Sequence, residues 1–267
     1  MTGIRATEAT LWSSGHNAAM NPQHASVEIA LSQRTAKIAG LITWGPFMRR
    51  AFRLSTYALV TAACLYGPAK AEDLQFSVYG GYQTAPHSGV DVSDGTHFNA
   101  GWEGKSFGSP PYYGARVTWW LENLNHPNLG LSIDYTHDKV YADEKTLATS
   151  GWSHFEFTDG LNLLTANALY RFPIEGQRWT PYVGAGVGVN IPHVEVTRPQ
   201  GKTFDYEFGG VTFQAQAGVD FRITDRWSTF VEYKGTYSRV NVPIDSGDSL
   251  KTNIITNAVN LGVSFHF

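Results

Sequence analysis

The last nine residues of the chain alternate without a break, Val259, Leu261, Val263, Phe265 and Phe267 standing against Asn260, Gly262, Ser264 and His266. A period of two belongs to a strand whose faces meet unlike environments. The same pattern runs from Gly210 to Arg222, where Val211, Phe213, Ala215, Ala217, Val219 and Phe221 oppose Thr212, Gln214, Gln216, Gly218, Asp220 and Arg222. It recurs from Pro181 to Ile191, with glycines at 184, 186 and 188 leaving room on the polar side. Noisier alternation marks strands around Phe76 to Tyr82, Val117 to Trp119, Leu129 to Thr136, Thr165 to Phe172 and Trp227 to Tyr237. Eight strands are predicted.

Alternation suits both a soluble sandwich and a membrane barrel, so other features must choose. Three favour the barrel. The polar faces carry Arg116, Asp134, Arg171, Asp220, Arg222, Glu232 and Lys234, charges that can pair inside a narrow lumen. Long connections at 85–111, 142–157, 192–209 and 238–252 alternate with short turns at 122–128, 173–180 and 223–226, the long-outside, short-periplasmic asymmetry of such barrels. Aromatics gather near strand ends, as at Tyr112-Tyr113, Trp119-Trp120, Trp179, Tyr182, Trp227 and Tyr237, which predicts interfacial girdles.

Composition agrees. With 16% charged and 13% aromatic residues, 27 glycines and no long apolar run, the 267-residue chain fits neither a helical membrane protein, a disordered chain nor a nucleic-acid binder. Its one cysteine excludes a disulfide framework and cysteine-based zinc or redox motifs. The expected fold is therefore all-β, an eight-stranded antiparallel up-and-down transmembrane β-barrel of the cell outer membrane, its long loops extracellular. A lumen this narrow is filled by side chains, so a general porin is not expected.

The N-terminal quarter differs in kind. From Met48 the chain reads Met-Arg-Arg-Ala-Phe-Arg, then a mostly apolar stretch from Leu54 to Tyr66, then Ala69-Lys70-Ala71. These are the three regions of a secretory signal peptide over 48–71, the barrel occupying 72–267. Residues 1–47 are read as an extension ahead of the true start at Met48, or else as a disordered leader. Cys64 faintly resembles a lipidation site but lacks the apolar residue expected three positions earlier. Removing residues 1–71 takes 7 Lys/Arg and 2 Asp/Glu, leaving 13 basic against 21 acidic residues and a net charge of −8.

Chemistry-bearing residues concentrate at the outer rim. His87, His97, His137, His154 and His193 fall on outer loops or strand tops, among the carboxylates Asp91, Asp94, Glu103, Asp138, Asp143, Glu144, Glu156, Asp159 and Glu195. Neutral imidazole with carboxylate suits a divalent metal, although exposed loops collect polar residues in any case and no HxH or HxxxH spacing forces a shared site. Pro86-His87 and Pro192-His193 each place a histidine beside a proline where a strand enters a loop. Trp102, Lys105 and Lys139 add aromatic and cationic groups suited to a glycolipid headgroup.

The set Gly81-Tyr82-Gln83-Thr84-Ala85-Pro86-His87-Ser88, Ala100-Gly101-Trp102-Glu103-Gly104-Lys105, Pro110-Pro111-Tyr112-Tyr113-Gly114, Lys139-Val140-Tyr141-Ala142-Asp143, Phe157 to Thr165, Pro192-His193-Val194-Glu195-Val196 and Leu250-Lys251-Thr252-Asn253 resembles the lipid A oxidases of rhizobia and related alphaproteobacteria. The likeness covers the mature chain and none of residues 1–47. It implies an outer-membrane enzyme that oxidises the proximal glucosamine of lipid A to 2-aminogluconate with molecular oxygen as co-substrate, releasing hydrogen peroxide. A divalent metal of unassigned identity is expected, and no flavin or haem, because no such motif is present. The resemblance assigns no catalytic residues. The reading of the rim takes His87, His193 and Glu195 as a metal or general-base cluster, completed by His154 or His137, with Trp102, Lys105 and Lys139 binding substrate.

Expected partners are lipid A or lipopolysaccharide of the outer leaflet and, through the C-terminal strand, the outer-membrane assembly machinery. Nucleic acid is not expected, and the barrel is taken as a monomer. Two other readings stay open: a non-catalytic surface barrel of the opacity type, with an adhesive or structural role, and a lipid A deacylase.

Overall fold

The computed structural model describes residues 74–267 apart from Thr158, so the expected signal peptide at 48–71 and the segment 1–47 lie outside the described residues. In chain order the strands are β1 (Leu74–Thr84), β2 (Ser88–Val92), β3 (His97–Ala100), β4 (Trp102–Glu103), β5 (Tyr113–Leu121), β6 (His126–His137), β7 (Val140–Ala142) and β8 (His154–Phe157). They continue as β9 (Leu163–Arg171), β10 (Trp179–Asn190), β11 (His193–Arg198), β12 (Gly201–Tyr206), β13 (Gly210–Arg222), β14 (Trp227–Pro243) and β15 (Ser249–His266). One short helix, α1 (Glu144–Ser150), lies between β7 and β8.

Eight of these strands form a closed antiparallel ring in the order β1-β5-β6-β9-β10-β13-β14-β15, with β15 returning to β1. The alternation dictates the closure. Val78, Leu131, Ile133, Val187, Phe213, Val231 and Leu261 point outward and are exposed, forming the wall that faces lipid. Among their neighbours Ser77, Ser132, Asp134, Thr212, Gln214, Glu232 and Asn260 point inward and are buried.

The charged residues meet inside as the sequence suggests. Arg116 donates through Nη1 and Nη2 to both Glu232 oxygens at 2.8 Å, and through Nε to Asp134 at 3.0 Å. Asp134 also accepts from Lys234 at 2.7 Å, Tyr79 at 2.7 Å and Gln214 at 3.0 Å, and Tyr182 donates to Glu232 at 2.8 Å. Every buried charge in this group therefore has partners, the condition for tolerating it. Two glycines create the room: a Cβ at Gly114 would lie 2.1 Å from the Tyr79 ring, and one at Gly262 would lie 2.2 Å from Phe230. Below this network a cavity of about 250 Å³ lies at the periplasmic end, lined by Arg116, Arg171, Arg222, Asp220 and His266 among others. Arg171 pairs there with Glu122 at 2.5 Å, and Asp220 accepts from Ser228 at 2.7 Å.

The girdle expectation needs correcting. Tyr113, Trp179 and Trp227 are exposed, but Tyr112, Trp120 and Tyr182 are buried inside the barrel. Successive residues of a strand point to opposite faces, so only one of each adjacent pair can reach lipid.

A larger departure lies at the outer end. The connections expected there as loops contain β4, β8, β11 and β12, which with β7 at the entry to the second connection form a second sheet ordered β12-β11-β8-β7-β4. β14 and β15 run on for 17 and 18 residues, beyond the roughly 9–11 that cross a bilayer, so the fourth connection shrinks from 238–252 to a turn at 244–248. Along β14 the inward face changes from Glu232, Lys234, Thr236 and Ser238 to the buried apolar Val240 and Val242, while the outward face changes from Val231 and Tyr233 to Arg239 and Asn241. β15 repeats this, with inward Thr256 and Asn260 giving way to Ile254 and Leu250 above. The inward apolar residues join Trp102, Trp152, Phe155, Phe157, Val194 and Val196 in one core, a cap over the outer mouth of the barrel. Arg198 ties three outer connections together, its guanidinium 2.7 Å from Asp94, 2.9 Å from Asp245 and 2.6 Å from Asp248.

Candidate functional site

The cap sheet has one apolar face and one chemical face, again by alternation. On β8, Phe155 and Phe157 enter the core and turn His154 and Glu156 to the other side. On β11, Val194 and Val196 do the same for His193 and Glu195. The strands are antiparallel with Glu195 opposite Glu156 and Thr197 opposite His154, so the two carboxylates are cross-strand neighbours with a histidine on either flank.

Distances within this face are short. His154 Nε2 lies 2.9 Å from Glu156 Oε1 and 3.5 Å from Glu195 Oε2. His193 Nδ1 lies 3.2 Å from Glu195 Oε1 and 3.5 Å from Asp159 Oδ2. His193 is buried, its ring held against Phe204 and Tyr206 at 4.6 and 4.5 Å, and its Nδ1 makes no hydrogen bond. Asp159 is delivered by a turn at Gly160, where φ is +86° and a Cβ would lie 2.5 Å from His137 Nδ1. Two donor sets of three result, His154/Glu156/Glu195 and Asp159/His193/Glu195, sharing Glu195.

Two tyrosines border the face. Tyr141 stands opposite Glu156 on β7, and burial, followed by the charges of Glu156, Asp159 and Glu195, pushes its hydroxyl up to about 12. Tyr206 stands opposite His193 on β12 and is also raised, by burial first and then by Asp159. Tyr206 is exposed, as are Phe204 and Phe208 beside it, extending an aromatic surface from the site.

Of the residues expected at the site, His193, Glu195 and His154 come together. His137 belongs to neither donor set: it is buried, stacked on Tyr113 at 5.1 Å, with Nδ1 3.2 Å from Asn162 Oδ1. His87 is exposed on the rim beside Gly101 and Asp143, the residue that caps α1 through Thr146, and it too lies outside both sets.

The expected substrate-binding groups diverge. Trp102 is buried in the cap core, its Nε1 donating to Ser88 at 2.8 Å, so packing explains it. Lys139 is also enclosed, its ammonium donating to the carbonyls of Gly108 at 2.9 Å and Pro110 at 2.5 Å. Lys105 keeps about half its side chain exposed, 3.5 Å from Glu103 and 4.5 Å above the Tyr141 ring. Glu156 and Asp159 complete the donor sets without having been singled out. The signal for Glu156 is the repeated tripeptide His-x-Glu at 154–156 and 193–195.

A family comparison agrees with the architecture. Residues 55–267 match the outer membrane protein beta-barrel domain. Among solved structures, Neisserial surface protein A is similar with a TM-score of 0.43 and 17% identity over 73% of this chain and 97% of that one. The outer membrane protein OprG from Pseudomonas aeruginosa gives 0.46 and 14% over 73% and 98%. The outer membrane enzyme PagL gives 0.25 and 12% over 68% and 97%. No curated protein sequence matches the chain. With the family match covering the whole ring and cap, the chain belongs to the outer membrane protein beta-barrel family and resides in the outer membrane.

Proposed function

We propose that the chain is an outer-membrane enzyme that oxidises the proximal glucosamine of lipid A to 2-aminogluconate. The observation that supports this most is the position of the His–carboxylate face. It stands just above the lipid-facing wall and opens beside the exposed Phe204, Tyr206 and Phe208. A glycolipid whose acyl chains lie along Leu131 and Ile133 carries its sugars to this height.

The reaction balances as a two-electron oxidation. The anomeric carbon of the reducing-end sugar loses its hydrogen and the anomeric hydroxyl loses its proton, giving a lactone. Oxygen takes up both electrons and both protons as hydrogen peroxide, and water then opens the lactone to the acid, a net gain of one oxygen atom. In this scheme Glu156, through the oxygen not turned to His154, accepts the hydroxyl proton, the role of a carboxylate held close to its target. His193, fixed between Phe204 and Tyr206, orients Glu195. Lys105 meets an anionic group of the glycolipid, while His87 has no part in the reaction. Oxygen reacts slowly with closed-shell sugars; His154, Glu156, Glu195, His193 and Asp159 would hold a divalent ion that would supply a route to activate it.

The exposed Phe267 that ends β15 is proposed as part of the signal read by the assembly machinery, and the barrel as a monomer. Mass spectrometry of lipid A from cells with and without the gene, grown in air and under nitrogen, tests the reading. A gain of one oxygen that needs both gene and air is expected. Loss of a fatty acid indicates a deacylase, and an unchanged lipid A indicates a non-catalytic surface barrel.

A further inference from the structure

The geometry points to a dinuclear divalent-cation centre on the outer face of the cap sheet, its two ions bridged by the carboxylate of Glu195. The two oxygens of Glu195 face different partners: Oε1 lies 3.2 Å from His193 Nδ1, and Oε2 lies 3.5 Å from His154 Nε2. Donors bound about 2.0–2.2 Å from one ion sit roughly 3.0–3.6 Å from each other. The imidazole–carboxylate separations, 2.9 and 3.5 Å around His154 and 3.2 and 3.5 Å around His193, fall close to that range, and all three donors of each set lie within 4.8 Å of one another. One ion thus takes His154, Glu156 and Glu195, and the other takes His193, Asp159 and Glu195.

Symmetry explains how one short sheet builds both halves. Antiparallel strands have a local two-fold axis between paired residues, and with Glu195 opposite Glu156 that axis carries His154-x-Glu156 onto His193-x-Glu195. His193 adds an independent indication, because its buried Nδ1 is directed into the cluster, within ion-pair reach of Glu195 and Asp159 but in hydrogen-bonding geometry with neither. A ring nitrogen so enclosed and without a hydrogen bond is satisfied by a cation held between it and those carboxylates. Three carboxylates against two imidazoles also leave an excess of negative charge. The Lys139 ammonium, the nearby buried cation, is committed to the carbonyls of Gly108 and Pro110. All donors are nitrogen or oxygen, which fits manganese, iron or zinc better than a soft ion.

This inference rests on the reading of the face as the metal-holding part of the site and is independent of the sugar oxidised there. Its test counts ions. The full-length exported protein, folded in detergent, is stripped with chelator, loaded with Mn²⁺, freed of unbound ion and analysed by elemental mass spectrometry and electron paramagnetic resonance. Two ions per chain with an exchange-coupled signal are expected. Glu195→Gln should remove the coupling and at least one ion, and His154→Gln, at the more open half of the site, should leave one uncoupled ion. Retained heat-modifiable mobility in gels reports that each variant keeps its barrel.

One ion or none in the wild type overturns the proposal, none being the behaviour of a plain imidazolium–carboxylate network. Two ions that stay coupled in Glu195→Gln overturn the bridge. A dinuclear protein that leaves lipid A unchanged refutes the proposed function alone, and oxidation of lipid A by a one-ion protein refutes this centre alone.

Discussion

Arg116 is the residue on which the lumen depends. It contacts two buried carboxylates of the barrel, Asp134 and Glu232, through three short hydrogen bonds. Arg116→Ala leaves two buried carboxylates with only part of their compensation and is expected to destabilise by about 3–5 kcal/mol, read as a lower urea midpoint of the gel-mobility shift. Gly114→Ala acts on the same layer by crowding. Its Cβ would meet the Tyr79 ring at 2.1 Å, and overpacking of this kind costs about 1–3 kcal/mol, measurable in the same assay. The lumen pairing was legible in the sequence because each of its charges sits at an alternate position of a strongly periodic strand. Glu156 and Asp159 were not, because their partnership with His193 and His154 is a matter of register between β8 and β11, strands separated by β9, β10 and three connections. His87 was misleading for the opposite reason: a Pro-His pair is a local feature, and nothing local says what lies across from it.

At the scale of elements, the cap is the part that alternation alone did not reveal. Its strands are short, and on β14 and β15 the apolar and polar faces exchange sides beyond Ser238, so a reading that follows one apolar face outward loses both strands at that point. The cap should behave as a unit with its own core. Phe155→Ala empties a fully enclosed position and should cost about 3–5 kcal/mol, loosening the cap while the ring persists. Faster hydrogen exchange in β8 and β11 with unchanged exchange in β13 is the expected pattern.

The cap should also have its own acid limit. The Asp94 carboxyl is held low by the Thr96 backbone N–H and then by Arg198, and Asp248 is held low by Arg198 and Ser93. A carboxylate whose pKa is depressed on folding contributes stability that is present above its unfolded value, near 3.9, and is lost as pH falls through the folded value. Fluorescence from Trp102 and Trp152 should therefore hold steady from neutral pH to about 4 and change only below that, the ring remaining resistant in gels.

For the whole molecule, a lumen crossed by Arg116, Asp134, Glu232 and Lys234 and roofed by an apolar core leaves no continuous water path among the described residues. Reconstituted into planar bilayers, the protein should give no steady single-channel conductance, and a regular open current would contradict the structure. The exchange of faces along β14 and β15 has a further consequence. Tyr233 and Ile255 belong in hydrocarbon, whereas Arg239, Asn241, Lys251 and Asn253 belong in water. Displacing the protein along the membrane normal by one pleat repeat, roughly 5 Å for a strand tilted near 45°, would drown one set or strand the other. The barrel is therefore its own depth gauge: it fixes how far the histidine face stands above the acyl chains before any lipid arrives, and so selects among glycolipids by the height of their sugars.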